Sequence, residues 1–319
     1  MVDPLAEFVT LLQPGAPFSK MVSAAGSWRV RRAEAGRPFY ALILDGSCRL
    51  DVTGHAPITL EKDDFVLIPA AYDFTMTSRE PPAPDVADTV PVPLSDGVFR
   101  VGDPGEEADL RVLVGYCVFA SPDAALLVSL LPRLVFVRGE KRLSNLVQMV
   151  GEETRERRPA REVVLARLLE VLLIEALRSA AGTAASPGLV RGLADIRLAI
   201  ALRRMHEDPA RPWTVAELAN EAALSRSMFF ERFTRTVGIT PMAYLLAWRM
   251  ALAKDLLRQN GLAVSEVAER VGYGSASAFS VAFTRHVGLA PMRYGRERPE
   301  GEVLATAAPR AAPASAPAG

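Results

Sequence analysis

The apolar positions of this chain change their period along its length. From Ser27 to Phe119 they come in short runs at strand spacing: Phe39 to Leu44, Cys48 to Val52, and Phe65 to Ile68. Turn residues bound each run, namely Asp45-Gly46, Thr53-Gly54 and Asp63-Asp64. Short strands so spaced predict an antiparallel sandwich or barrel. The Pro-rich stretch from Glu80 to Pro93 is expected to be a surface loop, and Leu110 to Phe119 returns to strand character. After Ser121 the period becomes helical, with one helix expected over Leu143 to Glu156 and another over Arg161 to Ala180. Ser179 to Gly192, rich in small residues, Gly and Pro, is the expected linker region. Helical character resumes at Asp195 and runs to about Gly295, and the Ala/Pro-rich tail from Pro299 is expected to be disordered.

The helical second half contains an internal repeat. Phe233 to Tyr244 (FTRTVGITPMAY) recurs as Phe283 to Tyr294 (FTRHVGLAPMRY), with eight of twelve positions identical at an offset of 50. Upstream, Val215 to Ala219 matches Val264 to Ala268 at an offset of 49, so one residue is gained between Ala222 and Ser275. Each copy is therefore expected to be helix, turn, helix, with the length change where a turn tolerates it. Ala219 and Ala268 are small where two helices would cross. Gly272 suits a left-handed turn position, and Ala223 in the first copy predicts mild strain or a different turn there. Ser225 and Ser275 are placed to cap the second helices. The pairs Phe229/Phe233 and Phe279/Phe283, four residues apart, would pin those helices to a core. Pro241 is placed to start a long helix reaching about Gln259.

The 319 residues suffice for two domains with separate cores. Half of them are hydrophobic and 23% are charged, the profile of a globular protein. The most apolar stretch, Val163 to Leu177, is broken by Arg167, Glu170 and Glu175, so no membrane span is expected. Asp3 and Glu7, with no basic residue near them, make a signal peptide unexpected. Two cysteines, Cys48 and Cys117, are too few for a disulfide framework and suit a reducing cytoplasm, as buried thiols or as a redox pair. The net charge of zero hides an asymmetry, because residues 203–298 carry 14 Lys/Arg against 9 Asp/Glu. A basic segment of this kind suits a polyanionic partner.

Residues from about Asp208 to Arg298 resemble the DNA-binding region of the AraC/XylS family of transcriptional activators. The likeness is carried by Leu218-Ala219, Ser225, Phe233, Gly238 and Pro241, then Arg249, Ala253 and Leu257. It continues through Val267-Ala268, Gly272-Tyr273, Ser275, Phe279, Phe283, Gly288 and Pro291. The resemblance implies that each second helix enters the major groove, the two lying about one turn (~34 Å) apart on one face of the DNA. Carried over by position, the first unit would present Ser225, Arg226, Ser227, Met228, Phe230 and Glu231. The second would present Ser275, Ala276, Ser277, Ala278, Ser280 and Val281, and Arg235 and Arg285 would contact phosphates. Where some members carry arginine, this chain has Glu231 and Val281. Glutamate can accept from cytosine N4, and valine can meet only a thymine methyl. Plain solvent exposure is the alternative for any one of these side chains.

Residues Pro4 to about Ala181 resemble the cupin-like half found in one branch of that family, through Gly26-Ser27-Trp28, Leu44 to Cys48 and Asp63 to Pro69. Metal-binding cupins need three histidines and a carboxylate directed into the barrel. This chain has only His55, His206 and His286, so neither a metal nor another cofactor is expected. The barrel interior is then a binding pocket or a packed core. If a pocket, Trp28, Tyr40, Tyr72 and Phe74 would line it for an aromatic or apolar effector, with His55 and Arg37 orienting the ligand. The helix from Arg161 to Ala180 is apolar nearly all round, which suits a homodimer contact near Leu168 and Leu172 or an interior helix of a monomer.

The expected fold is thus two domains: an α+β half with a cupin-like antiparallel β-barrel followed by helices, and an all-α half with two tandem helix-turn-helix units. The expected division is 1–182 for sensing and dimerisation, 183–194 as linker, 195–298 for DNA binding and 299–319 as tail. The expected function is a cytoplasmic, sequence-specific regulator, an activator, binding double-stranded DNA. It would contact RNA polymerase and be controlled by a small molecule or by contacts between the halves. A cupin-type enzyme and a purely architectural DNA-binder are the rivals. The missing ligand set weighs against the first, and the sensor-sized first half against the second.

Overall fold

Asp3 starts the first helix, α1 (Pro4–Leu12), by accepting from the backbone N–H groups of Leu5 and Ala6. Among the described residues ten strands follow: β1 (Pro14–Ala25), β2 (Arg29–Arg32), β3 (Phe39–Asp45), β4 (Ser47–Val52), β5 (Ile58–Glu61), β6 (Phe65–Ile68), β7 (Phe74–Thr77), β8 (Val92–Ser95), β9 (Val98–Gly102) and β10 (Leu110–Phe119). A short helix α2 (Ala124–Ser129) and strand β11 (Val135–Val137) lead to α3 (Lys141–Arg155) and α4 (Arg161–Ala180). The remaining elements are helical: α5 (Leu189–Ala194), α6 (Ile196–Glu207), α7 (Val215–Glu221), α8 (Arg226–Val237), α9 (Pro241–Arg258), α10 (Val264–Arg270), α11 (Ala276–Val287) and α12 (Pro291–Arg296). The structure is a computed structural model that describes residues 3–32, 38–70, 73–95, 97–119, 124–156, 158–180, 188–258 and 262–296. The expected tail, 299–319, lies outside the described residues.

The strands divide into two sheets instead of one hydrogen-bonded ring. The larger runs β11-β6-β3-β10-β1-β9-β8 and the smaller β2-β7-β4-β5. Pairing is antiparallel except between β1 and β9, which are parallel. The near-continuous apolar run of β3 follows from burial on both faces. Phe39, Ala41 and Ile43 enter a core between the sheets, with Leu50 and Met76 of the smaller sheet. Tyr40 and Leu42 enter a second core on the opposite face, beneath helices. The same alternation sends Val112 and Val114 of β10 to the first core and Leu113 and Cys117 to the second.

The chain divides into two compact units, Met1–Leu252 and Ala253–Gly319. Within the first, the helical core beneath the larger sheet continues through Leu189, Leu202, Met205, Phe229, Phe233, Tyr244 and Trp248. The expected 183–194 linker is accordingly not free chain in its described part. Residues 188–194 form a cap position and α5, with Leu189 and Val190 buried, the Leu189 N–H donating to the Leu130 carbonyl at 2.8 Å, and the Gly188 N–H to that of Thr236 at 3.0 Å. Small residues there signal close packing rather than looseness.

Helix α4 also departs from expectation. Leu165, Leu169, Leu172, Leu173 and Leu177 are buried in the chain's own core, while Val163, Val164 and Val171 are exposed. Leu172 is therefore not available to a second subunit, and Leu168 is only half-buried. Among the described residues no helix is long and apolar enough to cross a membrane.

Candidate nucleic-acid interface and interior pocket

The repeat extends to individual hydrogen bonds. In the first copy the N–H groups of Ala223 and Leu224 donate to the carbonyls of Asn220 and Ala219, at 3.0 and 2.9 Å. In the second, Gly272 and Tyr273 do the same to Glu269 and Ala268, at 3.0 and 2.8 Å. The offset is still 49 here and becomes 50 at the caps Ser225 and Ser275, so the gained residue is Gly274. Ser225 accepts from the Met228 N–H at 3.3 Å and Ser275 from the Ala278 N–H at 3.1 Å, starting α8 and α11. The first helix of the first copy has a full capping box, with Thr214 and Glu217 bonded reciprocally, while Ala263 gives α10 no side-chain cap.

The turn carries the strain expected of Ala223. Its φ is 51°, against 81° for Gly272. An alanine held in the left-handed region is disfavoured by roughly 1–2 kcal/mol, partly offset by the entropy glycine loses on folding. Ala223→Gly is expected to stabilise the protein by about 0.5–1 kcal/mol in urea titrations. A loss of stability would show that the methyl group is needed there.

Burial divides each second helix into two faces. Phe229 and Phe233 are fully buried with ring centroids 5.6 Å apart, and Phe279 and Phe283 likewise at 5.4 Å. Phe233 meets Tyr244 edge-on at 5.9 Å, and Phe283 meets Tyr294 at 5.5 Å. The opposite face holds the residues expected at the groove. Ser225, Arg226, Ser227, Met228, Phe230, Glu231 and Arg235 are exposed on α8. On α11, Ser275, Ser277, Ala278, Val281 and Arg285 are exposed, with Ala276 and Ser280 half-buried. Arg191, Arg232 and Arg235 add positive charge around a cleft beside the end of α8. There the Arg232 Nε donates to Asp195 at 2.7 Å. Burial would raise the Asp195 carboxyl, but Arg232 and the N–H groups of Leu198 and Arg197 hold it below the usual range. Sequence reasoning missed Arg191, which precedes the repeat, and Arg232, whose counterpart in the second copy is Ala282.

A small cavity of about 50 Å³ lies between the sheets. Trp28 and Phe74 line it as expected, with Phe39, Val30, Met76 and Tyr116. Tyr40 and His55, also expected there, are not among its lining residues. Tyr40 projects to the opposite face of β3, and His55 sits half-buried in the turn after β4. Arg37 and Tyr72 lie outside the described residues. Phe39 could have been found by stepping two residues back from Ala41, since strand side chains alternate. The cavity also has cationic lining groups, Lys20 and Arg32. Lys20 is buried, with its Nζ 4.4 Å from the Phe99 ring centroid.

Cys48 and Cys117 enter different cores, so the redox-pair alternative does not fit. Burial pushes both thiols up to about 12, helped at Cys48 by the charge of Asp64. His206 is also buried. Its Nδ1–H donates to Glu7 of α1 at 2.9 Å, its Nε2 accepts from the Tyr244 hydroxyl at 2.7 Å, and Trp248 stacks on it at 3.9 Å. Burial lowers its pKa below the ordinary 6.5 despite the opposing pull of Glu7 and Asp3. The stability this provides is complete above the unfolded value and lost as pH falls through the lower folded one. Urea midpoints taken between about pH 5 and 8 should therefore fall on the acid side in wild type and less steeply in His206→Gln. Equal slopes would remove His206 as the cause.

Residues 3–182 match a family described as Cupin, and residues 218–297 one described as Helix-turn-helix domain. A putative AraC-like transcription regulator of Streptomyces lividans is 35% identical over 300 residues, covering 92% of this chain and 98% of that protein. Another, of Streptomyces antibioticus, is 36% identical with the same coverage. The solved DNA-binding domain of AdpA in complex with a target DNA is 32% identical over 30% of this chain and 87% of that chain, with a TM-score of 0.29.

Proposed function

This chain belongs to the AraC-like family of transcription regulators, and we propose that within it the chain works as an effector-controlled activator rather than a catalyst. Residues 1–182 would sense and assemble, and 195–298 would bind double-stranded DNA through α8 and α11. The observation that carries this reading is the two-faced burial of those helices. Each is anchored by a buried phenylalanine pair and turns its capped N-terminal half to solvent. A capped helix start also presents backbone N–H groups and a positive dipole end to phosphates.

The effector would occupy the space between the sheets. Its aromatic and aliphatic lining favours an apolar or aromatic molecule. No metal or other cofactor is part of the proposal. The functional division at 182 does not coincide with the compact units, because α5 to α8 and most of α9 pack with the first half. That shared packing gives a pocket ligand a route to the first helix-turn-helix. A homodimer would form over Val163, Val164 and Val171 of α4, and an activator would touch RNA polymerase in the cytoplasm.

A thermal-shift screen of the full chain against aromatic and aliphatic acids and divalent metals tests the sensor. An organic acid should raise the melting temperature and change DNA affinity together. Stabilisation by a metal alone, reversed by a chelator, would contradict the metal-free reading and reopen the enzyme alternative.

A further inference from the structure

The two second helices offer DNA different chemistry at matching positions. At an offset of 50, Arg226 corresponds to Ala276 and Glu231 to Val281. Across its first two turns α8 therefore exposes a cation and a carboxylate beside Met228 and Phe230. On the same turns α11 exposes the Ser277 hydroxyl, the Ala278 methyl and Val281. Ser280, the other hydroxyl, donates to the Ala276 carbonyl at 2.7 Å, so its proton is already engaged. Val281 is 71% exposed on a helix whose two phenylalanines, Phe279 and Phe283, are fully buried. A β-branched side chain in water adds nothing to helix stability, since its rotamers are restricted there.

We propose that the second helix-turn-helix reads thymine through its 5-methyl group, with Val281 and Ala278 as the contacting side chains, while the charged side chains able to hydrogen-bond base edges, Arg226 and Glu231, stand on α8. This rests on the reading of α8 and α11 as the DNA-facing helices. In the major groove every base edge offers hydrogen-bond donors or acceptors, and only thymine adds a methyl. A valine or alanine pressed on a purely polar edge removes water from groups it cannot satisfy, which disfavours guanine, adenine and cytosine. Against thymine it gains an apolar contact instead. Ala278 and Val281 are three residues apart, a rise of about 4.5 Å along one helix face. That is close to the ~3.4 Å separation of stacked base pairs, so the two methyls belong to neighbouring pairs.

The test begins with selection of binding sites from random duplexes by the full-length protein, followed by footprinting. Each thymine of the selected duplex is then replaced singly by deoxyuridine, which keeps every hydrogen-bonding group and lacks only the methyl. Two neighbouring positions in one half of the site should each lose about fourfold in affinity, the equivalent of ~0.8 kcal/mol for one buried CH₂-sized group. Val281→Ala should bring the loss at one of them close to unity without changing affinity for the uracil duplex. Val281→Asn should move the preferred base there from thymine to adenine. Arg226→Ala should leave both uracil effects intact and relax the other half of the site. A motif bound equally well with uracil throughout, or uracil effects unchanged in Val281→Ala, overturns the inference while leaving DNA binding in place. A selection that enriches nothing overturns the DNA-binding reading and this inference with it.

Discussion

Phe279→Ala is expected to cost about 3–5 kcal/mol and to unfold the second helix-turn-helix. The side chain is fully buried and packs against Phe283 at 5.4 Å and Tyr273 at 5.6 Å. It belongs to the smaller compact unit, Ala253–Gly319, whose buried apolar side chains are few: Val267, Ala268, Val271, Phe283, Pro291 and Tyr294 accompany it among the described residues beyond α9. Small units bury a smaller fraction of their surface, so the loss of one aromatic ring takes a large share of their stability. Denaturant unfolding followed by hydrogen exchange should show this unit opening first, with DNA affinity falling alongside. Phe229→Ala should cost a similar amount but leave its unit folded, because that unit shares the larger core. Ser277→Ala, on the exposed face, should stay within about 0.5 kcal/mol of wild type. A stable Phe279→Ala or an unstable Ser277→Ala would mean that the faces of α11 are reversed.

Gly115→Ala is expected to disrupt the larger sheet by several kcal/mol, about 3 or more, at the upper end for overpacking. Gly115 of β10 lies directly across from Tyr40 of β3, and the tyrosine ring crosses the space where a side chain would stand. A Cβ there would lie 2.2 Å from both the Cζ and the hydroxyl oxygen of Tyr40. The ring is fully buried, and the cavity of about 10 Å³ that it shares with Leu169, Leu172 and Leu173 of α4 is too small to take a displaced ring without moving the helix. Tyr40→Leu in the same chain should restore part of the lost stability by clearing that space. If Gly115→Ala unfolds at the same urea concentration as wild type, the placement of the Tyr40 ring is wrong.

How much of this was legible in the chain depended on the range of the interactions. The helix-turn-helix copies were readable because caps, the left-handed turn and the Phe pairs act within about four residues of each other. Ala223, standing where the second copy has Gly272, signals mild strain or a different turn from sequence alone, and its φ of 51° is the strained case. The N-terminal half was harder, because its strands pair across long stretches. Pro14 of β1 pairs with Phe119 of β10, and neither β1 nor α1 carries a local signal of that partner. Phe39 and Tyr40 were equally aromatic in sequence, and burial on both faces of β3 hid which one faced the cavity. Glu7 and His206 meet across 199 residues, which no local pattern announces. Leu189 and Val190 were apolar signals inside a stretch whose glycine, proline and alanine suggested a linker, and their burial decided its structure.

The central claim is tested most directly by fluorescence anisotropy of the full-length chain with a selected duplex at increasing salt. The intact chain is the right object because residues 188–252 pack with the first half in one unit. The logarithm of the affinity should fall linearly with that of the salt concentration. If three to five of Arg191, Arg226, Arg232, Arg235 and Arg285 displace counterions, the loss should be roughly 40- to 500-fold from 50 to 200 mM. The expected result is saturable binding with that slope, weakened by Arg235→Ala and Arg285→Ala. A folded, full-length protein that shows no binding to duplex DNA at low salt, or a weak affinity indifferent to salt, would contradict the account.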